Sequence, residues 1–225
     1  MKLRDALMNL AITAALVLVI VIVALVLKRS KSAVPRAIPV TPAQATLIDR
    51  NARPVRETFE ILDKTTLVET RANEADTLRF RDGHEEHILV LYFVDAIEAS
   101  PSHPQRVNDQ ARWFGNVSDQ ILIETGVEAL NYVRDLLNSR PYQVLTRWER
   151  VPNSTRYYAL IKVEIQPGKA VYLADLLMQA GYARVHGVTT ALPNDQRDEV
   201  AYMLELKKLG ERARANNAGI WRHMR

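Results

Sequence analysis

The chain contains no cysteine. Disulfides, zinc–thiolate sites and thiol nucleophiles are therefore excluded, and so is any disulfide-linked partner. Internal repeats and low-complexity tracts are also missing. The folded part lacks the basic excess that a general nucleic-acid-coating protein carries. Residues 1–55 hold eight basic and two acidic residues, which leaves 22 basic against 24 acidic side chains in residues 56–225. The alkaline character of the whole chain therefore belongs to its first quarter, where it suits anionic lipid head groups. A nucleic-acid site in the remainder has to be a local patch.

Charge is absent from one more place. From Ala6 to Leu27 there are 22 consecutive uncharged positions, and Leu10 to Leu27 are almost purely Ala, Val, Leu and Ile. About 20 apolar residues in a helix span the hydrocarbon core of a bilayer, and a lone span must pair its backbone polar groups within itself. A cleaved signal peptide would have a shorter apolar part and a small-residue cleavage site. Here the run ends at Lys28-Arg29-Ser30-Lys31, so residues 1–27 are expected to be a single-pass anchor that engages the bilayer through residues 6–27. Pro35, Pro39, Pro42 and Pro54 mark residues 28–55 as an extended, basic linker.

From residue 56 the texture is that of a folded domain. Strands are expected at Thr58–Leu62, Thr66–Thr70 and Thr77–Arg81. Asp82-Gly83 signals a two-residue hairpin into an apolar return strand, His87–Val94, suited to a central position. A helix is expected from about Asn108 to Arg140, then strands Tyr142–Trp148 and Arg156–Ile165. A helix over Val171–Ala180 is stopped by Gly181. The last helix runs from about Asp195 to Ala218, with Val200, Met203, Leu204, Leu206 and Leu209 as its buried stripe. This order fits an α+β domain: a five-stranded OB-type β-barrel with three main helices, preceded by the transmembrane helix.

Four local patterns carry a resemblance. Ala75-Asp76-Thr77 opens a strand, and Val94-Asp95-Ala96-Ile97-Glu98 ends the apolar one. Arg156-Tyr157-Tyr158-Ala159-Leu160 opens the last long strand. Leu176 to Val185, with Ala215-Asn216-Asn217-Ala218-Gly219-Ile220-Trp221, closes the chain. In this order, across residues 56–222, they resemble the thermonuclease (staphylococcal nuclease-like) family, where the first three correspond to Gly-Asp-Thr, Asp-x-Pro-Glu and Gly-Arg-x-x-Ala. The resemblance implies a Ca²⁺-dependent nuclease that hydrolyses DNA or RNA. Asp76, Asp95 and the backbone carbonyl of Ala96 would hold the ion, a hard cation that takes oxygen ligands. Glu98 would be the general base that orients water, and Arg156 would stabilise charge in the transition state.

The departures from the family pattern are specific. A second arginine, five residues before the first Asp of Asp-x-Pro-Glu, is Val90 here, and losing such a phosphate-clamping group costs roughly 10²–10⁵ in rate. Arg79 or Arg81, on the paired strand, are candidates to contact substrate in its place, although both also suit a solvated face. The motif proline is Ile97. His186-Gly187-Val188 stands where the family has substrate-contacting tyrosines. An insert over residues 99–125 brings His103, Arg106, Arg112, Trp113 and Phe114. His84-Glu85-Glu86-His87 flanks a turn rather than lying on a helix, so it does not read as a zinc-protease motif.

Two functions follow: a membrane-tethered nuclease, or a catalytically weak or inactive thermonuclease-like module that binds nucleic acid or a protein partner. Lys and Arg counts beside the span lean towards a cytoplasmic domain. A nuclease would be hazardous there, so the expectation on functional grounds is extracytoplasmic.

Overall fold

Short alternating runs separated by turn residues build the sheets of this protein. The computed structural model describes residues 53–224 apart from residue 63. Along the chain come β1 (Glu60–Leu62), β2 (Thr66–Leu67), β3 (Thr77–Asp82), β4 (Glu85–Leu91), β5 (Val94–Ala96), α1 (Pro104–Trp113) and α2 (Asp119–Ser139). There follow β6 (Tyr142–Arg150), β7 (Tyr157–Gln166), β8 (Lys169–Tyr172), α3 (Leu173–Ala180), β9 (Ala183–Val185), α4 (Glu199–Ala215) and a 3₁₀ turn, Gly219–His223. The predicted anchor, and nearly all of the predicted linker, lie outside the described residues. Among the described residues no helix is long and apolar enough to cross a membrane.

The architecture is α+β, as expected. The main sheet has the order β1-β6-β7-β4-β3-β2, with β8 also on β7, and β5 pairs separately with β9. Among the described residues no ladder joins β1 to β2, and the strands outnumber the five expected. A hairpin is present, but Asp82 still pairs with Glu85, so its two loop residues are Gly83-His84, one place later than the predicted Asp82-Gly83. β4 is central, lying antiparallel to β3 and parallel to β7. Its apolar run does not continue to Val94 as one strand. Phe93 takes a left-handed backbone (φ 73°), and β5 leaves the main sheet for β9. The bend is held from outside, because the Phe93 N–H donates to the Val188 carbonyl and the His186 N–H donates to the Phe93 carbonyl.

The single helix expected over 108–140 is two. Gly115 (φ 83°) and Asn116 (φ 61°) end α1, and Ser118 caps α2 by accepting from the Ile121 N–H. The helix expected from Val171 begins at Leu173, because Lys169–Tyr172 are β8 on the edge of β7. In α4 the predicted stripe is wrong at two positions: Val200 and Leu204 are more than half exposed, while Tyr202, Leu206 and Ala213 are buried. The aromatic ring of Tyr202, edge-on to Phe93, turns that face inward. Trp148 and Trp221 are buried, as packing residues should be.

A large core fills the space between the main sheet, α2, α3 and α4. A smaller one gathers Ile97, Val107, Ala111, Phe114, Leu122, Ala213, Ile220 and Trp221. Ile97, in the motif's proline position, is thus an apolar anchor for the insert. Gly181 and Gly219 interlock: a Cβ on Gly181 would lie 2.4 Å from the Ala218 carbonyl oxygen, and one on Gly219 would lie 2.4 Å from that of Gly181. Only bare backbone allows the α3 end and the terminal turn to meet this closely.

Candidate functional site

The acidic residues singled out from the sequence come together at the mouth of the smaller core. Asp76 arrives from the start of β3. Its Oδ2 accepts the Ala96 N–H at 2.7 Å and its Oδ1 accepts the Thr77 hydroxyl at 3.0 Å. The Asp76 carbonyl accepts the Leu91 N–H, so β3 and β4 fix its position. Asp95 lies on β5 directly opposite Arg184 of β9. Glu98 follows β5 and is 1% exposed. α2 closes over its peptide, since a Cβ on Gly126 would stand 2.1 Å from the Glu98 carbonyl oxygen.

Three residues of the insert complete the cluster. His103, Arg106 and Gln110 are spaced three and four apart, which puts them on one face of α1 and its entry. Gln110 is fully buried. Its Nε2 donates to Asp95 Oδ2 (3.1 Å) and to the Ala96 carbonyl (2.8 Å), while its Oε1 accepts the Glu98 N–H (2.9 Å). Arg106 donates from Nη2 to Asp95 Oδ1 at 2.9 Å and ion-pairs through Nε with Glu98 Oε1. Arg184 Nε reaches Asp95 Oδ2 at 2.8 Å, and its Nη2 reaches Asp109 at 3.0 Å.

The predicted ion-binding trio lies close together, with its acceptors already engaged by protein donors. Both Asp95 oxygens receive N–H donors, and the Ala96 carbonyl is bonded to Gln110. Capacity remains on the other side of the cluster. Glu74, Glu98 and His103 present ligand atoms that all lie within 4.8 Å of one another, a group that can hold a metal ion. Neither Glu98 oxygen receives a well-aligned hydrogen bond, even with Arg106 beside it.

The electrostatics record an excess of negative charge. Glu74, Asp76, Asp95 and Glu98 face two guanidinium groups, Arg106 and Arg184. Burial, then repulsion from Asp95, pushes the Asp76 carboxyl up to about 7, against the stabilising Ala96 N–H. Burial and then Glu98 raise Glu74. Burial also raises Glu98, with Arg106 opposing and Asp76 adding to the shift. Arg106 is held protonated by Asp95, Glu98, Asp76 and Glu74, which outweigh its own burial.

The predicted arginines lie elsewhere. Arg79 and Arg81 both pair with Glu86 across the hairpin, at 3.4 and 2.6 Å. The guanidinium of Arg156 makes no hydrogen bond or ion pair among the described residues; its N–H donates to Ser154 Oγ. Glu149, on the neighbouring strand, is taken by Arg147 and by the Tyr92 hydroxyl. Strand alternation places Arg79 and Val90 on one sheet face, while Arg156 stands just before the start of β7. Val90 is half-buried against the main core. Between His84 and His87 no metal-binding group occurs among the described residues.

Sequence reasoning missed Glu74, Gln110, Arg184 and Gly126. Glu74 could have been found from its place two residues before Asp76, and Gln110 from its helical spacing to His103 and Arg106. An unexplained glycine inside a helical pattern pointed to Gly126. A scan against protein-family models matches none, and a search of curated proteins returns no significant relative.

Proposed function

We propose that residues 56–225 are a thermonuclease-like phosphodiester hydrolase that acts on DNA or RNA with a divalent cation. One observation carries this reading: Glu74, Asp76, Asp95 and Glu98 converge, largely buried, around too few positive groups. Burying like charges together is costly, and structural stability alone gives no return for it. The element order and the strand-end origin of Asp76 and Asp95 support the OB-type, thermonuclease-like plan.

The resemblance implies Ca²⁺. The trio Asp76, Asp95 and Ala96 carbonyl does not fit it as a set, since Asp95 and Ala96 have their acceptors engaged. Both Asp76 oxygens also accept hydrogen bonds; Glu74 and Glu98 offer the oxygens placed to hold a divalent cation. Bound there, the ion would supply Lewis-acid polarisation of the phosphate. Of the chain's own groups, Glu98 is placed to orient water and take its proton. Arg106, with its side chain half exposed, offers a guanidinium beside Glu98, the type of group that Val90 does not provide. The predicted anchor over residues 6–27 would tether this activity to a bilayer, with the domain extracytoplasmic.

The test is cleavage of single- and double-stranded DNA and of RNA by the full chain in detergent, with Ca²⁺, Mn²⁺ or chelator. Metal-dependent cleavage that drops at least about 10²-fold in Glu98→Gln is expected. No cleavage with any ion, or cleavage indifferent to this substitution, overturns the reading. The engagement of Asp95 by Arg106, Arg184 and Gln110, together with Val90, favours a second reading: an inactive module that binds nucleic acid or protein. Retained binding without cleavage is its signature.

A further inference from the structure

We infer that His103 is a metal ligand, and that with Glu74 and Glu98 it forms a site for a first-row divalent transition ion rather than for Ca²⁺. The inference deepens the hydrolase reading and shares Glu98 with it.

The geometry begins with the entry into α1. His103 stands at the N-cap position, yet its side chain makes no capping hydrogen bond. Pro104 follows at the first helical position, where the missing N–H costs nothing. An Asp or Ser would serve better as a cap, so the imidazole is not held there by helix chemistry. It is turned towards the acids instead, with Nδ1 4.0 Å from Glu98 Oε2. The opposite oxygen, Oε1, is the one beside Arg106. Glu98 therefore has one oxygen facing a guanidinium and one facing an imidazole and Glu74.

Glu98 also supplies the independent sign of a ligand. It is 1% exposed; Oε1 is ion-paired with Arg106, while Oε2 receives no aligned hydrogen bond. A buried carboxylate left this way is expensive, and a cation on Oε2 would relieve it. Glu74, Glu98 and His103 are already within 4.8 Å of one another. Bonds of about 2.0–2.2 Å to each ligand require these atoms to draw in by roughly an ångström, which the exposed, uncapped His103 can do. His103 is 63% exposed on its side chain, so the site opens to solvent and leaves positions for water or a phosphate oxygen.

The donor set decides the ion. Ca²⁺ prefers six to eight oxygens at 2.3–2.6 Å. Two carboxylates and one imidazole nitrogen suit Mn²⁺, Zn²⁺ or a neighbouring ion, because imidazole binds first-row transition metals far better than it binds Ca²⁺. The sequence motifs could not indicate this, because His103 lies in the insert and Glu74 precedes the first motif.

The experiment titrates the full chain in detergent with Mn²⁺, followed by electron paramagnetic resonance, with Ca²⁺ as competitor. One bound Mn²⁺ per chain is expected, displaced by Ca²⁺ only at about 10-fold or greater excess. His103→Gln and Glu74→Gln should each weaken Mn²⁺ at least about 10-fold, in keeping with the cost of disturbing a metal's ligands. His103→Gln leaves the core untouched, so an unchanged melting temperature without metal confirms that the variant is folded. Equal competition by Ca²⁺, unchanged affinity in His103→Gln, or no Mn²⁺ bound to the wild type overturns the proposal. The hydrolase reading fails separately: Mn²⁺ lost on His103→Gln, but no cleavage by the wild type with any ion, leaves the site standing and removes the activity. Ca²⁺-dependent cleavage indifferent to His103→Gln does the reverse.

Discussion

The cluster around Asp95 and the hairpin face around Glu86 each combine arginines with carboxylates, yet their consequences differ. At the hairpin, Arg79 and Arg81 share Glu86, and Arg53 pairs with Glu85. All of these groups reach solvent, so water screens each pair and each contributes little. Around Asp95 the same chemistry is removed from water. Arg184 and Asp95 are each about one-tenth exposed on their side chains, and every charge there depends on its neighbours. The lesson is that counting charged residues says little until burial is known.

The sharpest way to break this comparison is pH. Asp76 has its folded value pushed up to about 7 from an ordinary value of 3.8. An acid that holds its proton better when folded contributes full stability below its unfolded value and loses that contribution as pH rises through its folded one. In the absence of metal, the unfolding free energy of the full chain should therefore fall between about pH 4 and pH 8. The Asp76 share of that fall is of order 4 kcal/mol. Glu74 and Glu98, also raised, act in the same direction. Urea denaturation at several pH values checks this, and Asp76→Asn should flatten the curve.

Arg184→Ala comes next. It leaves Asp95 with Arg106 and Gln110 only, and breaking a buried pair costs about 3 kcal/mol, readable as a lower urea midpoint. Gly126→Ala should cost roughly 1–3 kcal/mol, because its methyl collides with the Glu98 carbonyl oxygen, main chain that shifts only at a cost. The same variant should weaken metal binding by displacing Glu98. Arg81→Ala is the smallest: no measurable change in the denaturation midpoint is expected. A clear loss there would show that the hairpin pairs are not the screened surface contacts they are taken to be.

Much of the architecture was legible in the sequence, because period-2 and period-3.6 patterns and the Asp82-Gly83 turn are local signals. The α+β order, the hairpin and the central β4 follow from them, whereas the grouping of Asp76, Asp95 and Glu98 was implied only by the family resemblance of their motifs. The rest depended on tertiary context. Phe93 could not be read as a bend, since its left-handed backbone is held by residues 186 and 188. Val200 and Leu204 obey helical spacing but lie outside, because Tyr202 takes the inner face. The engagement of Asp95 was hidden for the same reason: its partners are 11, 15 and 89 residues away. Arg156 was matched by motif, but no contact carries its guanidinium to the acids.

The departure of β5 from the main sheet sets a schedule for the growing chain. β5 finds its strand partner only in β9, and Asp95 is opposite Arg184. Pairings of such sequence separation close late. While the chain is on the ribosome, Asp76, Asp95 and Glu98 are made long before β9 emerges. The acidic centre is thus complete only once β9 has been made, and a chain broken off before residue 183 would leave β5 without its partner strand and Asp95 without its buried arginine.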